Sequence, residues 1–355
     1  MSDRWSAPVT GNVLTGFLGA GKTSLLKRLL RQPDLADTAV LINEFGEVGL
    51  DHLLVEEVDE DVVLLTSGCV CCTIRGDLKE ALVRLYGRRQ RGEVPPFTRI
   101  VIETTGLADP APIVATLAAD PMLRHHFRVG NIVTVVDAEN GLASLDAYAE
   151  SLRQVAVADR LVVTKIDLVA PQKVAKLVRR LTALNPTAEV VTTGEDDEAA
   201  ARLLTHDVHD DATRSQEIAR WLAAEIAKVH DHRHHHVDRN RHGAIRAMLL
   251  TAAEPVDWAA FGLWLSMLLH RHGAEILRVK GLLSIVGRPA PVVVQGVQHM
   301  IHNPVHLDRW PDDDVRTRLV LIVDGLDPDL IERSFHAFMR LGVEASAPQL
   351  APSSA

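Results

Sequence analysis

The stretch that decides the fold is residues 16–23, Gly-Phe-Leu-Gly-Ala-Gly-Lys-Thr. It matches the pattern G-x-x-x-x-G-K-[ST], follows an apolar run at 12–15 and opens a helical pattern at 23–31. In such a strand, turn and helix, backbone N–H groups and the positive helix N-terminus surround an anion, the lysine neutralises outer phosphates and the threonine hydroxyl faces Mg²⁺. We therefore predict a nucleotide phosphate site made by Gly16, Gly19, Ala20, Gly21, Lys22, Thr23 and Ser24.

The chain after this motif alternates strand patterns with helical ones. Apolar, largely β-branched runs lie at 39–42, 62–65, 100–103, 132–136, 161–164 and 189–191, and a helical stripe lies at 77–88. Strands that are apolar throughout are typical of a parallel sheet buried on both faces. We therefore predict an α/β fold of the P-loop NTPase type, in which helices cover both faces of a parallel sheet.

A change of composition predicts a second domain. The first domain is expected at 1–194, followed at 195–242 by a solvated acidic linker, a helix at 216–229 and a histidine-rich loop at 230–242. A smaller α+β domain is expected at 243–345 and a flexible tail at 346–355. The predicted strands of this α+β domain are 245–250, 276–286, 292–298 and 319–323, and its predicted helices are 258–270 and 329–341.

Composition argues against some classes of function. The 355 residues include 38 Lys and Arg against 47 Asp and Glu, a net charge of −9 that disfavours general nucleic-acid binding. The longest apolar run, 259–269, is far shorter than a membrane span of about 20 residues, and the N-terminus lacks a secretory pattern. We expect a cytoplasmic protein without a membrane partner, and the sequence leaves its oligomeric state open.

The choice of base is predicted by Thr164-Lys165-Ile166-Asp167, which follows a buried strand. The Asp167 carboxylate can accept hydrogen bonds from both N1–H and the exocyclic amine of guanine, a donor pair that adenine lacks. The aliphatic stem of Lys165 can lie over the base. Thr164, Lys165 and Asp167 are therefore predicted to bind the guanine of GTP.

Glu103-Thr104-Thr105-Gly106 ends another strand, where nucleotide-hydrolysing folds place an acid near Mg²⁺ and a glycine amide near the terminal phosphate. Lys22, Thr23, Glu103 and Gly106 are thus the predicted catalytic residues, with Thr23 and Glu103 as the magnesium ligands. Leu107 occupies the position where signalling GTPases have a water-orienting glutamine. The sequence therefore predicts slow intrinsic hydrolysis of GTP.

All three cysteines of the chain, Cys69, Cys71 and Cys72, lie within four residues. In an extended segment Cys69 and Cys71 point the same way, so their thiolates can chelate one Zn²⁺ or Co²⁺, with Cys72 completing the site. Three thiols do not close a structural zinc site, which favours a transferable ion. Small buried side chains are the alternative interpretation of the cluster.

Two weaker sets of candidate ligands accompany the cysteines. Glu44 and Glu47 follow the second predicted strand and could face Mg²⁺ or the transferred ion, although acidic side chains at such positions are usually solvated. The histidine-rich loop could hold Zn²⁺ or Co²⁺ weakly, and a solvated loop without metal is an equal alternative.

Taken in order, these motifs resemble the CobW-type P-loop GTPases, a family of proposed metallochaperones or metal insertases. The resemblance spans nearly the whole chain and includes Arg278-Val279-Lys280-Gly281 in the second domain. It implies that the cysteine cluster lies in a switch region joined to the nucleotide site. One departure is Thr164, where many GTPases have Asn, which is expected to weaken one hydrogen bond to the base and its neighbours.

The resemblance implies a GTP-hydrolysing metallochaperone that binds Zn²⁺ or Co²⁺ at its cysteines and delivers it to a metalloprotein client through the C-terminal domain. One alternative is a zinc-responsive, GTP-dependent regulator that binds a partner without transferring metal. A small-molecule kinase is a further alternative, although it leaves the cysteines and residues 164–167 without a role.

Overall fold

The computed structural model describes residues 7–43, 64–66, 74–193, 197–208, 213–218 and 245–346. Contacts between Cα atoms divide the chain into two compact units, Met1–Gly243 and Ala244–Ala355. Among the described residues, no helix is long and apolar enough to cross a membrane.

The first unit is built on a seven-stranded sheet with the order β3-β2-β4-β1-β5-β6-β7. Every neighbouring pair in this sheet is parallel. The carboxyl ends of all the strands therefore meet at one edge, with β1 at the centre. The strands are β1 (Val9–Gly16), β2 (Thr38–Asn43), β3 (Leu64–Thr66), β4 (Arg99–Thr104), β5 (Phe127–Asp137), β6 (Arg160–Thr164) and β7 (Glu189–Thr192).

Helices follow the strands of this sheet, as parallel connections require. They are α1 (Lys22–Leu29), α2 (Ile74–Gln90), α3 (Ala111–Ala119), α4 (Leu123–His126), α5 (Gly141–Ala147), α6 (Ala149–Val157), α7 (Pro171–Leu184) and α8 (Asp197–Thr205). The residues of β1, β6 and nearly all of β4 are buried, as their apolar sequences predict. The predicted P-loop α/β fold class is confirmed.

Strand β5 begins five residues before the predicted start at 132, because its first half lacks a continuous apolar run. This half pairs with β1 across a register shift between Gly11 and Val13. The side chain of Asn12 supports the irregular pairing, since its Oδ1 accepts a hydrogen bond of 2.8 Å from the Asn131 N–H. A Cβ atom on Gly130 would lie 2.4 Å from that Oδ1, so the absence of a side chain there makes room for the amide.

The segment expected to be a solvated linker contains part of the core of the first unit, which corrects that prediction. Helix α8 buries Ala201, Leu203 and Leu204 beside the apolar side chains of α1 and the sheet. After it, Asp207 accepts two hydrogen bonds of 2.8 Å from the Arg128 guanidinium. The many acidic residues of this segment indicated a linker, but the apolar spacing at 201–204 decides its position. Residues 214–218 are helical, and the rest of the helix predicted at 216–229 lies outside the described residues.

The second unit is a six-stranded antiparallel sheet with the order β11-β10-β9-β13-β8, and β12 pairs with β10. The strands are β8 (Ile245–Ala252), β9 (Ile276–Leu283), β10 (Val292–Val297), β11 (Met300–Ile301), β12 (Val305–His306) and β13 (Thr317–Asp324). Helices α9 (Trp258–His272) and α10 (Pro328–Ser346) contribute Trp264 and Phe335 to its core, where the ring centroids lie 5.0 Å apart.

Two boundaries in this unit differ from the predictions. Strand β9 ends at Leu283 rather than at 286, because the Ser284 N–H donates to the Thr317 side chain and Ile285 instead bridges to Val256. Helix α10 continues to Ser346, so the segment predicted as a flexible tail begins with a helical residue. The strand predicted at 319–323 is central in the sheet.

Candidate nucleotide-binding site

The phosphate loop, residues 16–23, connects the central strand β1 to helix α1. Gly16 has a φ of 142° and Gly19 a φ of 72°, values that favour glycine. A Cβ atom on Gly16 would lie only 2.2 Å from the Val135 carbonyl oxygen of β5. Ala20 is buried, Gly21 immediately precedes α1, and Ser24 is exposed in its first turn. The loop therefore has the strand, turn and helix geometry that the motif predicted.

The ammonium group of Lys22 is held over this loop. Its Nζ donates to the carbonyl oxygens of Gly16 at 2.9 Å and Phe17 at 3.3 Å. Burial lowers the pKa of Lys22 below its usual 10.5, and the nearby charge of Glu103 partly opposes this shift. The positive charge is thus positioned at the loop by two backbone carbonyls and supported by one carboxylate.

Thr23 and Glu103 meet at the carboxyl edge of the sheet. The Thr23 Oγ1 donates a hydrogen bond of 2.6 Å to the Glu103 Oε1. Thr23 lies in the first turn of α1 and Glu103, 5% exposed, lies near the end of β4, so the pairing of β1 with β4 brings them together. A hydroxyl and a carboxylate are oxygen donors of the kind that Mg²⁺ prefers. The donor set therefore fits a magnesium ion beside the phosphate loop.

Residues 164–167 lie next to the phosphate loop, at the end of β6. The buried Thr164 hydroxyl donates a hydrogen bond of 2.7 Å to the Ala20 carbonyl, which ties the two segments together. Lys165 has a φ of 55°, and its Nζ lies 3.6 Å from the Asp137 Oδ2. Asp167 lies exposed in the short 3₁₀ turn Ile166–Leu168. All three predicted base-binding residues therefore lie at the same edge of the sheet as the phosphate loop.

Gly106 lies directly against the phosphate loop. A Cβ atom on Gly106 would come within 2.6 Å of the Leu18 backbone nitrogen, so only glycine allows this approach. The turn at 105–108 is closed by a hydrogen bond of 3.2 Å from the Ala108 N–H to the Thr105 carbonyl. Leu107 points outward from this turn and is 52% exposed.

Sequence reasoning missed two residues of this neighbourhood, Gln154 and Asp137. The Gln154 Nε2, on helix α6, donates to the carbonyls of Gly106 at 3.1 Å and Ala108 at 3.0 Å. Asp137 ends β5 and accepts a hydrogen bond of 2.5 Å from the Asn140 N–H, besides facing Lys165. Only the terminal position of Asp137 on a strand could have indicated its role. Gln154 carries no local sequence signal.

The predicted metal-cargo ligands Cys69, Cys71 and Cys72 lie outside the described residues, as do Glu44, Glu47 and the histidine-rich loop. Within the described part of the chain, no group of three or more His, Cys, Asp and Glu side chains could hold a metal ion. The metal assignments to these residues stay predictions.

Residues 10–192 match the family model described as CobW/HypB/UreG, nucleotide-binding domain. Residues 245–339 match the cobalamin synthesis protein cobW C-terminal domain. The chain belongs to the CobW family. This chain is 31% identical to the zinc chaperone YjiA of Escherichia coli (strain K12), over 92% of its own length and 98% of the relative.

Other proteins are similar to this chain over different lengths. The zinc chaperone CobW of Sinorhizobium sp is 30% identical, over 88% of this chain and 92% of the relative. The zinc-regulated GTPase metalloprotein activator 1 of Schizosaccharomyces pombe is 37% identical, over 52% of this chain and 46% of the relative. The crystal structure of Zn(II)-bound YjiA GTPase from E. coli superposes with a TM-score of 0.69 at 26% identity, over 94% of this chain and 99% of that one.

Proposed function

We propose that this CobW-family chain binds and slowly hydrolyses GTP, and that this cycle controls the binding of a transition-metal cargo and its delivery to a client metalloprotein. The observation that carries the nucleotide half is the hydrogen bond of 2.6 Å between Thr23 and Glu103, beside the phosphate loop. It brings the two candidate magnesium ligands together next to the Lys22 ammonium. The names of the zinc chaperones and zinc-regulated GTPases that the chain resembles support the metal half.

The chain's own residues account for phosphate binding. The N–H groups of the loop and of the first turn of α1 donate to phosphate oxygens, and Lys22 neutralises the outer phosphates. Mg²⁺ held by Thr23 and Glu103 would neutralise charge that develops on the phosphate oxygens. Gly106, whose close approach to the Leu18 backbone leaves no room for a side chain, would donate its N–H to the terminal phosphate. Since Leu107 carries no polar group to orient water, hydrolysis is expected to be slow.

Selectivity for guanine would come from the segment at 164–167. Asp167 accepts the two guanine donors, while Lys165 packs its stem over the base and keeps its ammonium near Asp137. Thr164 directs its hydroxyl to the phosphate loop rather than outward, and so couples the base site to the phosphate site. A small-molecule kinase would leave this segment unexplained.

The cargo would be Zn²⁺ or Co²⁺ bound by Cys69, Cys71 and Cys72, with Glu44 or Glu47 as additional oxygen ligands. Thiolates suit either ion, and three of them leave a coordination position open for exchange. If GTP tightens metal binding about tenfold, the metal must tighten GTP binding by the same factor, about 1.4 kcal/mol. The C-terminal domain is the proposed client-binding surface.

The experiment is a Co²⁺ titration of the reduced full-length chain, followed by the absorption of thiolate-to-cobalt charge transfer. It is run with Mg²⁺ and a non-hydrolysable GTP analogue, with Mg²⁺ and GDP, and without nucleotide. We expect the band at lower Co²⁺ with the analogue and no band in Cys71→Ser. The matched control, Lys22→Ala, keeps the cysteines, and its band should appear at the same Co²⁺ concentration with either nucleotide and without nucleotide. A wild-type band indifferent to nucleotide would contradict the proposed coupling.

Delivery is separated from regulation by a second measurement. Zn²⁺-loaded protein is given GTP in the presence of a colorimetric zinc chelator, and the rate of zinc transfer is compared with the rate of phosphate release. Transfer that follows hydrolysis supports a chaperone. Zinc that stays bound through many turnovers supports the zinc-responsive regulator instead. Competition between GTP and ATP for the same site tests the kinase alternative.

A further inference from the structure

Helix α6 contacts both walls of the phosphate site. Tyr148, directly before the helix, packs against Phe17 of the phosphate loop, with ring centroids 4.5 Å apart and ring planes tilted by 31°. One and a half turns later, Gln154 reaches the opposite wall and donates two hydrogen bonds to the 105–108 turn. No motif of the nucleotide site includes this helix, yet it bridges the two segments to which the proposed function assigns phosphate contacts.

The contact made by Gln154 is specific in its chemistry. The residue is 1% exposed, and its backbone carbonyl oxygen accepts a hydrogen bond of 2.8 Å from the Thr134 side chain. Both acceptors of its Nε2 are backbone carbonyls, so the amide must present its NH₂ group to the turn. Its Oε1 has no hydrogen-bond partner among the described residues. Gln154 also lines a small cavity with Ser144 and Ser151. Both hydrogen bonds that the buried side-chain amide donates go to the 105–108 turn.

We infer that Gln154 is a positioning residue that holds Gly106 where its N–H meets the terminal phosphate of GTP. The amide fixes the Gly106 carbonyl at 3.1 Å and the Ala108 carbonyl at 3.0 Å, and so fixes both ends of the turn around Leu107. Gly106 can then neither rotate nor withdraw from Leu18 without breaking these bonds. The inference rests on the proposed function, since it concerns how the same site distinguishes GTP from GDP.

A distinctive consequence is that Gln154 should affect GTP and GDP differently. GDP lacks the phosphate that Gly106 would contact, so a loosened 105–108 turn leaves GDP affinity nearly unchanged. A general loss of structure would instead weaken both nucleotides. In Gln154→Met, which keeps an unbranched side chain of similar length but donates no hydrogen bond, we expect a non-hydrolysable GTP analogue to bind about tenfold more weakly, about 1.4 kcal/mol.

The matched control is Asn185→Leu. Asn185 is likewise a buried amide, and its Nδ2 donates to the carbonyls of Val155, Ala156 and Ala158 at the end of the same helix. It makes no hydrogen bond to the 105–108 turn. Its loss should lower the stability of the protein, yet leave the ratio of GTP-analogue to GDP affinity unchanged.

The measurement is the dissociation constant of each nucleotide, by titration of the full-length protein with fluorescent GDP and a fluorescent GTP analogue in Mg²⁺. A change in the affinity ratio for Gln154→Met, with GDP affinity within about twofold and Asn185→Leu normal, supports the inference. Equal weakening of both nucleotides, or of neither, overturns it and leaves the proposed function standing. Failure of the wild-type chain to bind either nucleotide overturns the proposed function and this inference with it.

Should Gln154→Met fail to fold, hydrogen exchange of the wild-type protein serves instead. Peptides covering 105–108 and 149–157 are compared in the GTP-analogue and GDP complexes. Slower exchange in both segments with the GTP analogue supports the inference, because the hydrogen bonds between Gln154 and the 105–108 turn then become more stable when the terminal phosphate is bound. Identical exchange in the two complexes overturns it.

Discussion

The first two glycines of the phosphate loop are expected to tolerate a methyl group very differently. Gly16 and Gly19 both have a positive φ, 142° and 72°, so alanine at either position is strained. For a left-handed backbone this strain is about 1–2 kcal/mol. The surroundings differ, because a Cβ on Gly19 has nothing within 4 Å, whereas a Cβ on Gly16 lies 2.2 Å from the Val135 carbonyl oxygen and 3.0 Å from the Val135 nitrogen.

The obstacle at Gly16 is backbone that cannot move independently. Gly16 pairs with Val135 in the ladder between β1 and β5, so relief of the clash must separate the two central strands. Overpacking of this kind typically costs about 1–3 kcal/mol beyond the backbone strain. We therefore expect Gly16→Ala to destabilise the first unit by about 2–5 kcal/mol and Gly19→Ala by about 1–2 kcal/mol. The first value is a large fraction of an ordinary domain's stability, about 5–15 kcal/mol.

The assay is native-state hydrogen exchange of peptides covering 9–16 and 127–137, which reports the opening free energy of β1 and β5 directly. Far-UV circular dichroism during urea unfolding provides the comparison for the whole chain. Gly19→Ala is the matched control, since it adds the same methyl to the same loop. If the two variants lose equal protection in these peptides, the reasoning from the Val135 contact is refuted.

Three further predictions concern the side chains of the site. Thr164→Val removes the hydrogen bond to Ala20 and should weaken the binding of GTP and of GDP alike by about tenfold. Thr164→Ser should retain the affinity, and calorimetric titration with both nucleotides checks this. Because burial holds the pKa of Lys22 below 10.5, GDP affinity measured without Mg²⁺ should fall as the pH rises through that lowered pKa. In Glu103→Gln, which lacks the charge that opposes the shift, the fall should occur at a still lower pH. Lys22→Arg should show no such fall. Asp137→Asn removes the anion 3.6 Å from the Lys165 ammonium and should weaken GTP binding by at most about fivefold. Paired binding titrations should show that 1 M NaCl abolishes this effect. An unchanged or larger effect at high salt would exclude an ionic role.

Much of the first unit follows from local patterns in the sequence. The phosphate motif specifies its own strand, turn and helix, because the positive φ values require glycine and the lysine and threonine have defined positions after them. Continuous apolar runs identified the parallel strands, since both faces of such a sheet are buried. The patterns were least informative where polar residues are buried, as in the first half of β5, and where acidic residues hide an apolar stripe, as in α8.

The sequence by itself determined that this chain is a P-loop protein of the CobW family, and which residues make the phosphate loop. These signals are short and contiguous, so they need no knowledge of how distant segments meet. The tertiary structure decided the contacts themselves: Thr23 bonds to Glu103 across 80 residues, Thr164 to Ala20 across 144, and Gln154 to Gly106 across 48. Those contacts depend on the order in which parallel strands pair, and strand order is set by the packing of the whole domain rather than by any residue's neighbours along the chain.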